Sequence, residues 1–201
     1  MKDYITVVGN DLISKELEQE VTEFLYDVYP VIYHSFANDE YEKITCSFTY
    51  FTQEQKNRGE VGYEYSNQIY INVEYIRKNP QDLNAIMIHE LTHSAQHYPN
   101  YPVWLTEGIA EYGYYISGYY DEQTCGALEP YREGFHYTDG YRITANFLKY
   151  VVECHNKDTV TILNECLKHD VYYADIWEYC TGYTVDELWE LYAIYSENSI
   201  Y

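Results

Sequence analysis

Positive charge is scarce in this chain: 12 lysines and arginines stand against 33 aspartates and glutamates in 201 residues, a formal net charge of −21. A surface that negative repels phosphate backbones and anionic headgroups, so neither nucleic acid nor a membrane surface is an expected partner. No run approaches the roughly 18 apolar residues that a membrane-spanning helix needs. Paired cysteines are missing as well. Cys46, Cys125, Cys154, Cys166 and Cys180 are scattered, odd in number and free of any CxxC pair, which argues against a zinc ribbon and against a complete disulfide framework. The first residues lack a basic stretch followed by an apolar one, so no signal peptide is read. A cytoplasmic location is the expectation, and a secreted one follows if a leader has been removed. Internal repeats, low-complexity tracts and Pro/Gly/Ser-rich linkers are also absent, which leaves one domain over residues 1–201, with an α+β part at 1–78 and a helical part at 79–201.

What the chain has in excess is tyrosine, 28 residues beside 6 Phe and 3 Trp. Tyrosine buries its ring while its hydroxyl finds a partner or water, so an aromatic core with wet rims is one reading. A compositional habit of the lineage is the other. Hydrophobic residues at 46% suit an ordinary globular core.

The first third reads as mixed. Residues 5–8 form a short strand candidate, and 11 to about 29 carry helical spacing through Leu12, Leu17, Val21, Phe24, Leu25 and Val28. Residues 44–51 alternate as a strand, and 68–73 form a β-branched run. From Asn79 the pattern turns helical: Asn79 as N-cap, Pro80 at the first helical position and Asp82 in the first turn predict a helix that ends by Pro99. Further helices are predicted from Pro102 to near Gly118, over 140–154 and over 159–168. A last one starts at Thr184, where Glu187 completes a capping box.

Within the first of these helices lies HELTH, residues 89–93. His89 and His93 are four apart, so their rings leave one helix face a turn apart, the spacing at which two imidazoles bind one tetrahedral Zn²⁺. Glu90, turned about a quarter of the way round, can reach a water activated by the metal and act as general base. The bare motif arises by chance in roughly a few of every hundred chains of this make-up, so its surroundings decide. Leu83, Ile86, Met87 and Leu91 bury most of this helix, and histidines beside such a stripe need partners for their nitrogens.

A catalytic zinc takes a third protein ligand and leaves its fourth position to water. The extended metzincin pattern HExxHxxGxxH would need Gly at 96 and His at 99, where the chain has Gln96 and Pro99. The next block, WLTEGIAEY at 104–112, places Glu107 and Glu111 one turn apart on a mostly apolar helix. Glu107 is the expected ligand, with Glu111 behind it holding the outer N–H of His89; the reverse assignment stays open. Gln96, three residues beyond His93, is placed to orient a ligand or the substrate. His97 is rotated away from His89 and reads as a capping or surface residue. For the oxyanion of a tetrahedral intermediate, Tyr141 after Gly140 is the first candidate donor, followed by Tyr137 and His136.

HELTHSAQ (89–96), LTEGIAEY (105–112) and GYRITANFL (140–148) together resemble the basic secretory protein family, zinc peptidases of plants and bacteria of the gluzincin type. The helix at 184–192 and the strand segment at 68–76 are similar to that family too, so the likeness covers roughly residues 60 to 195. It implies an α+β, zincin-like fold: a small N-terminal mixed sheet with helices, a mostly helical C-terminal half, and the active-site helix between them. It further implies one Zn²⁺ per chain and peptide-bond hydrolysis of a peptide or protein substrate. By resemblance His89 and His93 are ligands, Glu90 the base, and an acid of the EGIAE block the third ligand. Glu111 departs from the Asp common at that position, and a net charge of −21 is the opposite of basic. In zincins the strand before the metal helix lies at a sheet edge and can pair with an extended peptide; that role falls to Ile69, Tyr70, Ile71, Asn72 and Val73. The competing readings are a non-catalytic binding protein on a zincin scaffold and an aminopeptidase-like exopeptidase. The oligomeric state is not legible.

Overall fold

The computed structural model describes residues 2–198. Strand β1 (Ile5–Val8) leads through a turn, in which Asn10 and Asp11 take left-handed backbone, into helix α1 (Lys15–Phe36). Ser14 caps α1 by accepting from the Leu17 N–H at 3.2 Å, and Glu16 and Glu18 sit in its first turn. The helix thus starts four residues later than the apolar spacing predicts, and it runs on through Pro30. A mid-helix proline costs about 3 kcal/mol. Beyond it Ile32, Tyr33 and Phe36 are fully buried, at about 1.5–3 kcal/mol each, so burial outweighs the break.

Strand β2 (Ile44–Thr49), the short helix α2 (Gln53–Asn57), the hairpin β3 (Gly62–Tyr65) and β4 (Gln68–Asn72), and helix α3 (Val73–Ile76) follow. They complete a four-stranded sheet in the order β1-β2-β4-β3, with β1, β2 and β4 parallel and β3 antiparallel to β4. Ile44, Cys46 and Phe48 of β2 and Ile69 and Ile71 of β4 turn inward with no more than 1% exposure, which fixes the register. Ser66 and Asn67 both adopt positive φ (53° and 62°), the conformation a tight two-residue hairpin turn requires.

Two expectations change here. Residues 69–72 lie in β4, which is bonded to β2 on one side and β3 on the other, and Val73 opens α3. The main chain of that segment therefore has no free edge to offer a peptide; β3 holds the edge instead. And Asn79 makes no side-chain cap: its Nδ2 donates to the Tyr75 carbonyl at 3.2 Å, and a 3-10 turn (Pro80–Asp82) leads into the next helix.

That helix, α4 (Leu83–Gln96), ends where His97 takes left-handed backbone, φ 47°. It is buried nearly all round, with α1, β3, β4 and α5 (Val103–Ile116) packed about it. Helix α6 (Tyr141–Cys154) lies against α5 with no gap, because a Cβ on Gly108 would stand 2.2 Å from Thr144 Cγ2. Helices α7 (Thr159–Lys168), α8 (Ile176–Thr181) and α9 (Val185–Asn198) close the helical side. The predicted capping box is present: Glu187 N–H donates to Thr184 Oγ1 at 3.2 Å, and Thr184 N–H to Glu187 Oε2 at 2.8 Å. The structure is α+β, a small mixed sheet and a larger share of helix. A single apolar cluster runs from Ile5 to Tyr192. Much of the tyrosine is core: Tyr29, Tyr33, Tyr98, Tyr112, Tyr114, Tyr150 and Tyr192 are buried, and rings such as Tyr29 and Tyr33 stack at 4.1 Å. Among the described residues no helix is long and apolar enough to cross a membrane.

Candidate metal centre

The left-handed turn at His97 reverses the chain, and the short stretch 98–102 lays α5 against α4. This brings the acids of α5 opposite the histidines of α4. Nε2 of His89 and Nε2 of His93 lie 3.0 Å apart. Oε2 of Glu107 is 3.2 Å from the first and 3.5 Å from the second. Three ligand atoms thus converge on one point, and they form the only group of its kind among the described residues that could hold a metal ion.

The outer nitrogens face different partners. His93 Nδ1 meets Gln96 Oε1 at 2.7 Å, and the same amide donates from Nε2 to the Thr106 carbonyl of α5 at 3.0 Å. Gln96 is 2% exposed, and both ends of its amide are used. An amide oxygen accepts only, so this contact leaves the proton of His93 on Nδ1 and the lone pair on Nε2. His89 Nδ1 has Glu111 Oε1 at 3.4 Å, close enough to pair but short of a well-aligned hydrogen bond. The two acids one turn apart on α5 are therefore distinguished: Glu107 faces the inner nitrogens, Glu111 the outer nitrogen of His89.

Glu90 is 6% exposed, and burial raises its pKa against the pull of His89 and His93. Burial also opposes charge on Glu107, yet His89 and His93 outweigh it and hold that carboxyl far below the usual range. For His89 burial acts to lower the pKa, and Glu107 and Glu111 more than reverse it. His97 lies apart, half-exposed, with Nε2 3.4 Å from Glu42.

These groups form the floor of a cleft of about 870 Å³. One wall is β3, which comes close because residue 62 is glycine: a Cβ there would stand 2.6 Å from Ile86 Cγ2 and 2.9 Å from Glu90 Oε1. Tyr141 also lines the cleft, its ring nearly parallel to that of His89 with centroids 6.2 Å apart. Gly140 (φ 80°) and Tyr141 (φ 48°) both take left-handed backbone, a conformation costly for a tyrosine and kept where the surroundings enforce it. The Tyr141 pKa is raised by burial and then by Glu107, Glu90 and Glu111. Tyr137 and His136 are elsewhere. The Tyr137 hydroxyl donates to Asp186 at 2.7 Å with its ring on Trp104, and His136 packs on Tyr137 and contacts Thr138 Oγ1 at 2.8 Å.

Sequence reasoning missed the edge strand, with Gly62 and Glu64 in the cleft, and also Arg58, Cys125 and Arg142. Thr52 with Gln55 and the Ser66–Asn67 pair were signals that something structured lay between two recognised strands.

The family model described as "Peptidase of plants and bacteria" matches residues 9–192. The chain belongs to this family. The match takes in the hairpin, α4, α5 and α6, and it extends well toward the N-terminus of the 60–195 span in which the resemblance is legible. No curated protein and no solved structure matches the chain. The site just described is thus the candidate centre of a member of a peptidase family.

Proposed function

We propose that the chain is a zinc peptidase with a zincin-like arrangement, one Zn²⁺ held by His89, His93 and Glu107. The observation that carries this is the triangle of ligand atoms at 3.0, 3.2 and 3.5 Å. Atoms bound to a tetrahedral ion at 2.0–2.1 Å are about 3.3 Å apart, and two imidazoles with one carboxylate are a donor set that suits zinc and leaves one position open. When bound, zinc supplies a Lewis acid for the scissile carbonyl and lowers the pKa of water toward neutrality.

The rest is done by side chains of this chain. Glu90 takes a proton from the attacking water and returns it to the departing amine. The Tyr141 hydroxyl, protonated at neutral pH as an ordinary phenol is, donates to the oxyanion. Gln96 and Glu111 hold the two imidazoles at their outer nitrogens. An extended peptide or protein segment pairs with the free edge of β3, the strand that lines the cleft, rather than with β4.

The test is a pair of proteins, wild type and Glu90→Gln, compared for zinc content and for hydrolysis of an internally quenched peptide library. Both are expected to carry about one zinc, with hydrolysis falling by about 10²–10⁴-fold in the variant. Equal hydrolysis by the two proteins would remove Glu90 from the mechanism.

A further inference from the structure

The cleft contains two arginines, and they are held unequally. Arg58 is tied twice, through Nε to Glu60 at 2.7 Å and through Nη1 to Glu54 at 2.8 Å. Arg142 makes no side-chain hydrogen bond among the described residues. Its nearest acid is Glu129, whose Oε2 lies 3.7 Å from Nη2, and Glu129 is already engaged through Oε1 with Arg132 at 2.8 Å. The Arg142 side chain is 42% exposed and opens into the cleft. It also directly follows Tyr141, whose ring lies nearly parallel to that of His89 with centroids 6.2 Å apart, and both residues line the cleft that holds the metal centre.

A guanidinium presents five N–H donors in a planar fork that matches a carboxylate edge-on. In a chain of net charge −21, an arginine left without a bonded acid inside the cleft contrasts with Arg58, whose donors are taken by its own neighbours. We infer that Arg142 receives a carboxylate of the peptide substrate close to the bond that is cut, supplied either by the substrate C-terminus or by an Asp or Glu side chain. The incoming carboxylate replaces the long contact to Glu129, which keeps Arg132. This rests on the reading of the cleft as a peptide site, and it deepens that reading by naming what the substrate must carry.

The experiment reads binding rather than turnover. Four labelled peptides of one sequence are used: free C-terminus, C-terminal amide, and an internal Asp or Asn. Their affinities are measured by fluorescence anisotropy on zinc-loaded and metal-free Glu90→Gln protein, with and without Arg142→Gln. One carboxylate form is expected to bind about tenfold more tightly than its neutral counterpart, and Arg142→Gln is expected to erase the difference. The pair that shows the difference identifies the source. Glu129→Gln, which removes the internal competitor, is expected to widen the difference, so the inference stays testable even if Arg142→Gln fails to fold. Equal binding of both members of both pairs overturns it, as does a preference that survives Arg142→Gln. A chain that binds selectively but never hydrolyses peptides sinks the zinc-peptidase reading and keeps this one. A hydrolysing chain without selectivity does the reverse.

Discussion

Two imidazoles on one helix face meet unlike groups at their outer nitrogens, a neutral amide bonded to His93 and a carboxylate 3.4 Å from His89. The amide of Gln96 is the more constrained, since it also bonds the Thr106 carbonyl and so ties the end of α4 to α5. Replacing it with leucine frees the His93 ring, whose Nδ1 loses its amide partner, and removes the link to α5. Gln96→Leu is expected to weaken zinc binding by about 10–100-fold, measured by competition with a chelator of known affinity, whereas unchanged affinity would show that His93 is oriented by packing alone. At this scale the sequence is informative wherever helical spacing decides geometry. His89, His93 and Glu90 follow from one turn of helix. Glu107 as ligand with Glu111 behind it was the expected order, but the reverse stayed open because both are one turn apart on the same face and only the ring nitrogen each faces separates them. Arg142 was not legible as a binding group because its value lies in which neighbours leave it free.

Among the elements, β3 carries the most information about the cleft and gave the weakest signal. Gly62–Tyr65 alternates only through Tyr63 and Tyr65 about Glu64, a run too short to stand out, and its turn uses Ser66 and Asn67 in place of the glycine that marks most such hairpins. Its existence depends on pairing with β4, a tertiary fact. The edge strand lies against α4 because Gly62 has no side chain. Gly62→Ala puts a methyl against Ile86 and Glu90, which is expected to cost about 1–3 kcal/mol of stability. Displacing the general base should also lower kcat by roughly 10²-fold. A melt and a kcat measured on one preparation check both, and full activity in a destabilised variant would show that Glu90 tolerates the shift. Helices α5, α6, α7 and α9 were read almost to the residue, with proline, glycine and a capping box marking several of their ends, whereas the six-residue α8 went unpredicted and α1 ran past Pro30 because burial outweighed a local break.

For the whole molecule, the tyrosine-rich core has a consequence for pH. Burial, the largest cause at each, pushes Tyr29, Tyr112, Tyr137 and Tyr192 up to about 12 from an ordinary 10. A folded-state pKa raised above the unfolded one stabilises the fold below the unfolded value, and that stability is lost as pH climbs through the folded value. The fold is therefore expected to be intact up to pH 10 and to lose helical circular dichroism on approach to pH 12, in step with tyrosinate absorbance. Complete tyrosine ionisation with the helices intact would contradict this. The tyrosine excess in the sequence left a core role and a compositional habit equally open. Burial of Tyr29, Tyr33, Tyr98 and Tyr114 decides for the core at those positions.

The most direct measurement is a titration of the metal-stripped full chain with zinc, following hydrolysis of an internally quenched peptide alongside zinc uptake. Activity is expected to rise in proportion to bound zinc and to level off at about one equivalent, with Glu90→Gln taking up the same equivalent in silence. Hydrolysis by the metal-stripped chain at full rate, or no uptake of zinc at neutral pH, would contradict the assignment of His89, His93 and Glu107 as the centre of a zinc peptidase.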